Sequence, residues 1–168
     1  MLQNILFKAI NKLPAILKTP IQAIPFSIYQ KPLQYALSQL LFEQLEEGEL
    51  DFLEERFLQI QVTDLNFNFA ITVENENLII LPPMPNPCVV FSGNSPDLLL
   101  IAARKQDPDT LFFRRKLSIT GDTELGLAVK NLMDSIDWQQ MPRLITIFLE
   151  QVANLIEKAQ SHEQALQK

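Results

Sequence analysis

Between residues 58 and 73 apolar and polar side chains alternate almost without interruption. Leu58, Ile60 and Val62 alternate with Gln59, Gln61 and Thr63, and Leu65, Phe67, Phe69, Ile71 and Val73 alternate with Asn66, Asn68, Ala70 and Thr72. A period of two puts one set on each face of an extended chain and cannot gather the apolar set on one side of a helix. The middle of the chain is thereby committed to strands with one greasy and one polar face, as in an antiparallel sheet covered on one side. Asp64 lies between the two runs, where a tight hairpin fits. Glu74-Asn75-Glu76-Asn77 reads as a polar turn, Leu78 to Leu81 as a third strand and Cys88 to Phe91 as a fourth. The intervening PPMPNP, residues 82–87, reads as a loop, because proline has no ladder donor to give.

A greasy sheet face needs a second layer, and the flanking sequence supplies helices. Leu2, Ile5, Leu6, Ala9, Ile10 and Leu13 recur at helical spacing, with Lys8 and Lys12 on the other side, until Pro14. Residues 19–32 form a proline-punctuated connector, and Pro32 suits the first turn of a helix near 32–47 that stops at Gly48. Ser95-Pro96-Asp97 reads as a helix start capped by Ser95, running to Lys105. Asp107-Pro108 opens a short helical turn ending near Phe113, Lys116 to Thr120 is a fifth strand, and Asp122 caps the next helix. Met141-Pro142 starts a last helix, and the tail after Ser161 frays. The expected class is α+β, with a basic amphipathic arm over 1–31, a folded body over 32–160 and a tail over 161–168.

Charge is unevenly spread. Residues 1–42 hold four lysines and no acid, while the remainder carries a net −10, giving −6 for the whole chain. An acidic body argues against nucleic-acid binding. One histidine, His162, and one cysteine, Cys88, leave histidine-ligated metal sites and Ser-His or Cys-His catalysis without most of their parts. No disulfide can form within the chain. Gly121 and Gly126 have the spacing of a phosphate loop, yet Leu127 and Ala128 stand where Lys and Ser/Thr belong, and Asp122 and Glu124 would oppose phosphate. Paired carboxylates at Asp107 and Asp109 read as a cap, and the acid-rich 46–55 as a solvated surface. The sequence predicts no catalytic residue, metal or cofactor. No run of about 18 uncharged apolar residues occurs, so no membrane-spanning helix is expected.

Two features remain. The Phe67/Phe69 strand, Phe112-Phe113 and the helices from Asp122 and Pro142 all have apolar sides that can face one interior. That interior is either a dry packed core or a long apolar cavity, which would favour an apolar guest. The arm, with lysines on one side and Leu/Ile/Phe on the other, has the pattern of a helix lying in a membrane interface, and equally of a helix docked on the body. Arg104-Lys105 and Arg114-Arg115-Lys116 sit at element ends, where cations suit the C-terminal pole of a helix or an anionic head group.

The run RKQDPDTLFFRRKLSITGDTELGL, within residues 95–137, resembles the sterol-carrier-protein-like lipid-binding domain. The features that carry the resemblance are the Asp107-Pro108 turn leading to Phe112-Phe113 and the strand that ends in Gly121-Asp122 and opens a helix. Together with FEQLEEGELDFLEERFLQIQV it is similar to the bacterial ubiquinone-biosynthesis accessory factors of that family, over about Pro14 to Met141. The resemblance implies a five-stranded, mainly antiparallel sheet with helices enclosing an apolar tunnel. It implies a non-catalytic carrier, cytoplasmic and peripheral at the inner membrane, that holds the polyprenyl tail of a quinone precursor. It also implies the oxygen-independent branch of ubiquinone synthesis, with hydroxylases UbiU and UbiV as partners. On this reading the tail is lined by Phe67, Phe69, Ile71, Leu100, Phe112, Phe113, Leu132, Met133, Met141 and Phe148, and Lys8, Lys12 and Lys18 meet anionic lipid. The competing expectation is a ligand-free structural adaptor that uses the arm and last helix.

Overall fold

The computed structural model describes residues 25–136, together with Ile147, Glu150, Gln151 and Asn154, which are helical. The expected first helix, most of the last helix and the tail lie outside the described residues. Helix α1 spans Phe26–Leu40 and α2 spans Phe42–Glu46, followed by a 3-10 turn, Asp51–Leu53. Strands β1 (Leu58–Val62), β2 (Phe67–Glu74), β3 (Asn77–Leu81) and β4 (Val89–Gly93) come next. Helices α3 (Ser95–Ala102) and α4 (Pro108–Phe113), strand β5 (Leu117–Gly121) and helix α5 (Thr123–Ser135) complete the order.

The five strands form one sheet in the order β3-β2-β1-β4-β5. Three of its four pairings are antiparallel; β1 and β4 run parallel. The register sets Ile60 beside Phe69 and Phe91, and Ile71 beside Leu58 and Ile80. The alternation seen in the sequence therefore becomes one continuous apolar face across all strands. Asn75 and Glu76 both have positive φ and make the two-residue loop that joins β2 to β3, the geometry whose twist matches that of the strands. The expected hairpin forms at Asp64, with a four-residue loop between Val62 and Phe67. Asp64 accepts hydrogen bonds from Ser95 N–H (2.7 Å) and Ser95 Oγ (2.7 Å). With its hydroxyl so engaged, Ser95 does not cap α3. Asn94 does, accepting from Asp97 N–H at 2.8 Å.

Pro32 is not in a first turn. It lies inside α1, so the helix crosses the point where the arm was expected to end. Proline lacks an N–H and its ring crowds the preceding turn, yet α1 continues through exposed Pro32 and breaks only at Leu41, a buried residue. The polar face expected to be wet is partly closed. Ala70, Thr72 and Gln59 are buried: Thr72 Oγ1 donates to the Leu53 carbonyl (3.0 Å), and Gln59 Oε1 accepts from Met84 N–H (2.9 Å) in the proline loop. Asp97, buried in α3, takes a hydrogen bond from Lys116 Nζ at 3.2 Å.

Gly121 shows how tightly β5 is delivered to β4. Its φ is +107°, and a Cβ there would lie 2.3 Å from the Cys88 carbonyl oxygen. That same carbonyl accepts from Asp122 N–H at 2.9 Å, the bond that launches α5. Gly121→Ala is expected to destabilise the fold by about 2–4 kcal/mol, since backbone rather than a flexible side chain must yield. A urea titration read by circular dichroism measures it.

Candidate lipid-facing sheet surface

The apolar face of the sheet is walled on three sides. On the first, α1 runs along the outer edge strand β3. An edge strand carries unpaired backbone groups, and α1 satisfies two of them with side-chain amides one helical turn apart. Gln30 Nε2 donates to the Ile80 carbonyl (2.8 Å), and Gln34 Oε1 accepts from Ile80 N–H (3.3 Å). The helix thus docks as a surrogate strand. No residue of α1 is fully buried; Phe26, Leu33, Leu37 and Leu40 only lean on the core.

On the second side, α2 reaches across to the end of α5. Gln44, buried, donates from Nε2 to the Ser135 carbonyl (3.3 Å), and Ser135 Oγ donates to Glu49 Oε2 (3.1 Å). On the third side α5 packs over β4 and β5, burying Leu125, Val129 and Leu132. Gly126 permits this approach, with Ile119 Cγ2 only 3.0 Å from where a Cβ would be.

Closure falls away towards the β1–β2 hairpin. Phe69 and Ile71 are buried, whereas Ile60, Val62 and Phe67 are half-buried. An aromatic ladder marks this end: Phe69 and Phe67 have ring centroids 5.6 Å apart, Phe67 and Tyr29 of α1 4.9 Å, and Tyr29 and Phe26 5.2 Å. Burial pushes the Tyr29 phenol above its ordinary range. Sequence reasoning missed Tyr29. The signal was present, since tyrosine combines a large apolar body with a polar tip, but residues 19–32 read as a connector hid its helical position.

The predicted lining residues divide. Phe67, Phe69, Ile71, Leu132 and Met133 belong to or pack against one core cluster. Leu100 is fully buried but packs with Leu99 and Ala103 in a separate small cluster, so it does not join them. Phe112 and Phe113 face outwards, 43% and 81% exposed, and correct the expectation that they line an interior. Of the six residues of α4 only Leu111 is buried. Met141 and Phe148, and Lys8, Lys12 and Lys18, lie outside the described residues.

Among the described residues are two hollows that open at the surface. One, about 210 Å³, is lined by Ile101, Arg104, Gln106, Met133 and their neighbours. The buried Gln106 Oε1 in its wall has no hydrogen-bond partner among the described residues. The other, about 560 Å³, lies between α1–α2 and the β2–β3 turn, with Phe42, Leu45 and Asn77 in its wall. Neither is lined by Phe67 or Phe69. Among the described residues no group of three or more His, Cys, Asp and Glu is placed to hold a metal ion, and no helix is long and apolar enough to cross a membrane.

The amide clamp gives a direct prediction. Gln34→Leu leaves the Ile80 N–H without its acceptor, at a cost of about 1–3 kcal/mol. Hydrogen exchange at the Ile80 amide should accelerate by at least ten-fold relative to Val73, while the global unfolding midpoint moves less.

The family model described as the SCP-2 sterol transfer family matches residues 36–134. The chain is 43% identical over 157 residues to the ubiquinone biosynthesis accessory factor UbiT of Escherichia coli strain K12, spanning 94% of this chain and 90% of that protein. UbiT of Escherichia coli O157:H7 matches equally. The solved structure of the ubiquinone synthesis protein UbiJ-SCP2 superposes with a TM-score of 0.54 at 15% identity, covering 66% of this chain and 97% of that one; the likeness is one of fold.

Proposed function

The chain belongs to the SCP-2 sterol transfer family, and from that membership we propose that it is a non-catalytic, lipid-binding accessory factor of ubiquinone biosynthesis. The observation that carries the proposal is the three-walled apolar sheet face, half-open at Phe67, in a chain 43% identical to UbiT over most of its length. A polyprenyl tail is insoluble for a simple reason: each CH₂ taken out of water is worth about 0.8 kcal/mol. A carrier has only to offer apolar surface that its own fold leaves incompletely packed. Half-buried Phe67, flanked by Tyr29 and Phe69, offers it, and Ile71, Leu132 and Met133 belong to or pack against the same core cluster.

The rest of the reading builds on that surface. The tail enters at the hairpin end, between α1 and the sheet, and is sealed by the amide-clamped helix. The aromatic head stays near the mouth, where an oxygen-independent hydroxylase of the UbiU and UbiV kind can reach it. Met141 and Phe148 add to the lining from the last helix, and Lys8, Lys12 and Lys18 of the arm hold the carrier to anionic lipid as a peripheral protein of the inner membrane.

One observation favours a second reading, the ligand-free adaptor. Ile28, Tyr35 and Phe42 stand exposed at seven-residue intervals along α1 and into α2, the spacing of a seam for a partner helix.

Native mass spectrometry of the untreated full chain separates the two. The carrier retains a stoichiometric prenylated phenol or quinone. Phe67→Gln, which changes a half-buried position and spares the fold, should lower retention of added prenylquinone by about ten-fold, in line with the transfer free energy of an aromatic side chain. Ligand-free protein that also fails to take up prenylquinone establishes the adaptor instead.

A further inference from the structure

The two phenylalanines that the fold turns outwards stand beside a concentration of positive charge in an otherwise acidic protein. Between Arg104 and Lys116 there are five cations and two acids, against −6 for the whole chain. Both acids are already engaged. Asp109 holds Lys130 Nζ at 2.8 Å, and Asp107 caps α4 by accepting from Thr110 N–H at 2.9 Å. Lys116 is committed to buried Asp97. Among the described residues Arg114 and Arg115 make no ion pair and are exposed.

The backbone at this point is held in a costly conformation. Helix α4 ends with Lys116 N–H donating to the Leu111 carbonyl (2.9 Å) and Arg115 N–H donating to the Phe112 carbonyl (2.9 Å). This is the helix-ending motif whose left-handed residue is usually glycine. Here that residue is Arg115, with φ +58°. The same motif ends α2 with Gly48 at φ +75°, and α3 with another arginine, Arg104, at φ +54°. At α4 the chain therefore keeps a guanidinium where a bare Cα would be more comfortable. The turn sets Arg114 and Arg115 directly after the aromatic pair. The Phe112 and Phe113 rings contact each other edge-on, 5.9 Å between centroids, instead of packing into the core.

We propose that Phe112, Phe113, Arg114 and Arg115 form a docking ridge for an anionic lipid bilayer, with the two rings seated among the acyl chains and the two guanidiniums on lipid phosphates. An adjoining aromatic and cationic pair matches the layered chemistry of a membrane interface, apolar inside and negatively charged at its surface. A bidentate guanidinium suits phosphate better than an ammonium would. The ridge lies on α4, which contacts β5, the edge of the sheet opposite the one that α1 covers.

The test is flotation of the full chain with phosphatidylcholine vesicles, with and without phosphatidylglycerol. The wild type should float only with the anionic vesicles. Phe113→Ser should weaken partitioning by about ten-fold or more, and Arg114→Gln by about five-fold. Arg115→Gly is the decisive variant. It relieves the left-handed residue, so its melting temperature should equal or exceed that of the wild type, while its vesicle affinity falls about five-fold. A merely structural arginine would leave vesicle binding unchanged. Equal flotation with neutral vesicles, no flotation at all, or wild-type flotation of both Phe113→Ser and Arg115→Gly would overturn the ridge. Prenylquinone retention measured without vesicles should be the same in Phe113→Ser as in the wild type, so loss of the ridge and loss of the carrier reading give different results.

Discussion

The parallel pairing of β1 with β4 dictates where every other element can go. For β4 to lie beside β1 and run the same way, the chain must first lay the β2–β3 hairpin along the other edge of β1 and then cross back through the proline loop. The Phe57 carbonyl fixes the return, accepting from both Cys88 N–H (2.9 Å) and Val89 N–H (3.3 Å). The β1 strand is thereby central and paired on both sides. Its partners bring Phe69, Phe91 and Ile119 into one row with Ile60. Strand β3 is left as one edge and β5 as the other, and the cover over the apolar face has to be assembled from helices that precede and follow the sheet in sequence.

That assembly is unequal in strength. Helix α5 buries four residues against β4 and β5, including Gly126, which lets it sit close. Helix α1 buries none. It is held by two amide hydrogen bonds to a single residue of the edge strand and by half-buried aliphatic and aromatic contacts. Net contributions of this kind are modest, about 0.5–1.5 kcal/mol for a hydrogen bond, and elements held so lightly open at far lower free energy than the global fold. A cover that is firm on one flank and light on the other is compatible with the proposed carrier reading, in which a long apolar molecule enters beneath the lighter flank.

The sheet was legible because its signal is local. Alternation from Leu58 to Val73 needs no knowledge of the partner strands, and Asn94, Asp107 and Asp122 cap their helices through bonds spanning three residues. Even there a neighbour could mislead: Ser95 has cap chemistry, but Asp64, remote in sequence, takes its hydroxyl, and the adjacent Asn94 serves instead. The candidate site was half legible. Phe67, Phe69 and Ile71 follow from the strand period and Leu132 and Met133 from the helical one. Tyr29 was hidden by prolines that α1 tolerates. Leu100 is as apolar as its neighbours, and only packing assigns it to another cluster.

By itself the sequence determined the α+β class, the apolar and polar faces of the strands, the ends of most helices and the poverty of catalytic side chains. Each of these rests on covalent spacing or on which atoms exist. Tertiary structure alone decided that β4 returns parallel to β1, that Gln30 and Gln34 close the β3 edge, and that Phe112 and Phe113 look outwards. The reason is common to all three. A residue's spacing says which neighbours share its face, but which face meets the core depends on what else the chain brings there. In α4 that competition was won by Leu111, and the two rings and two arginines that follow it were left on the surface.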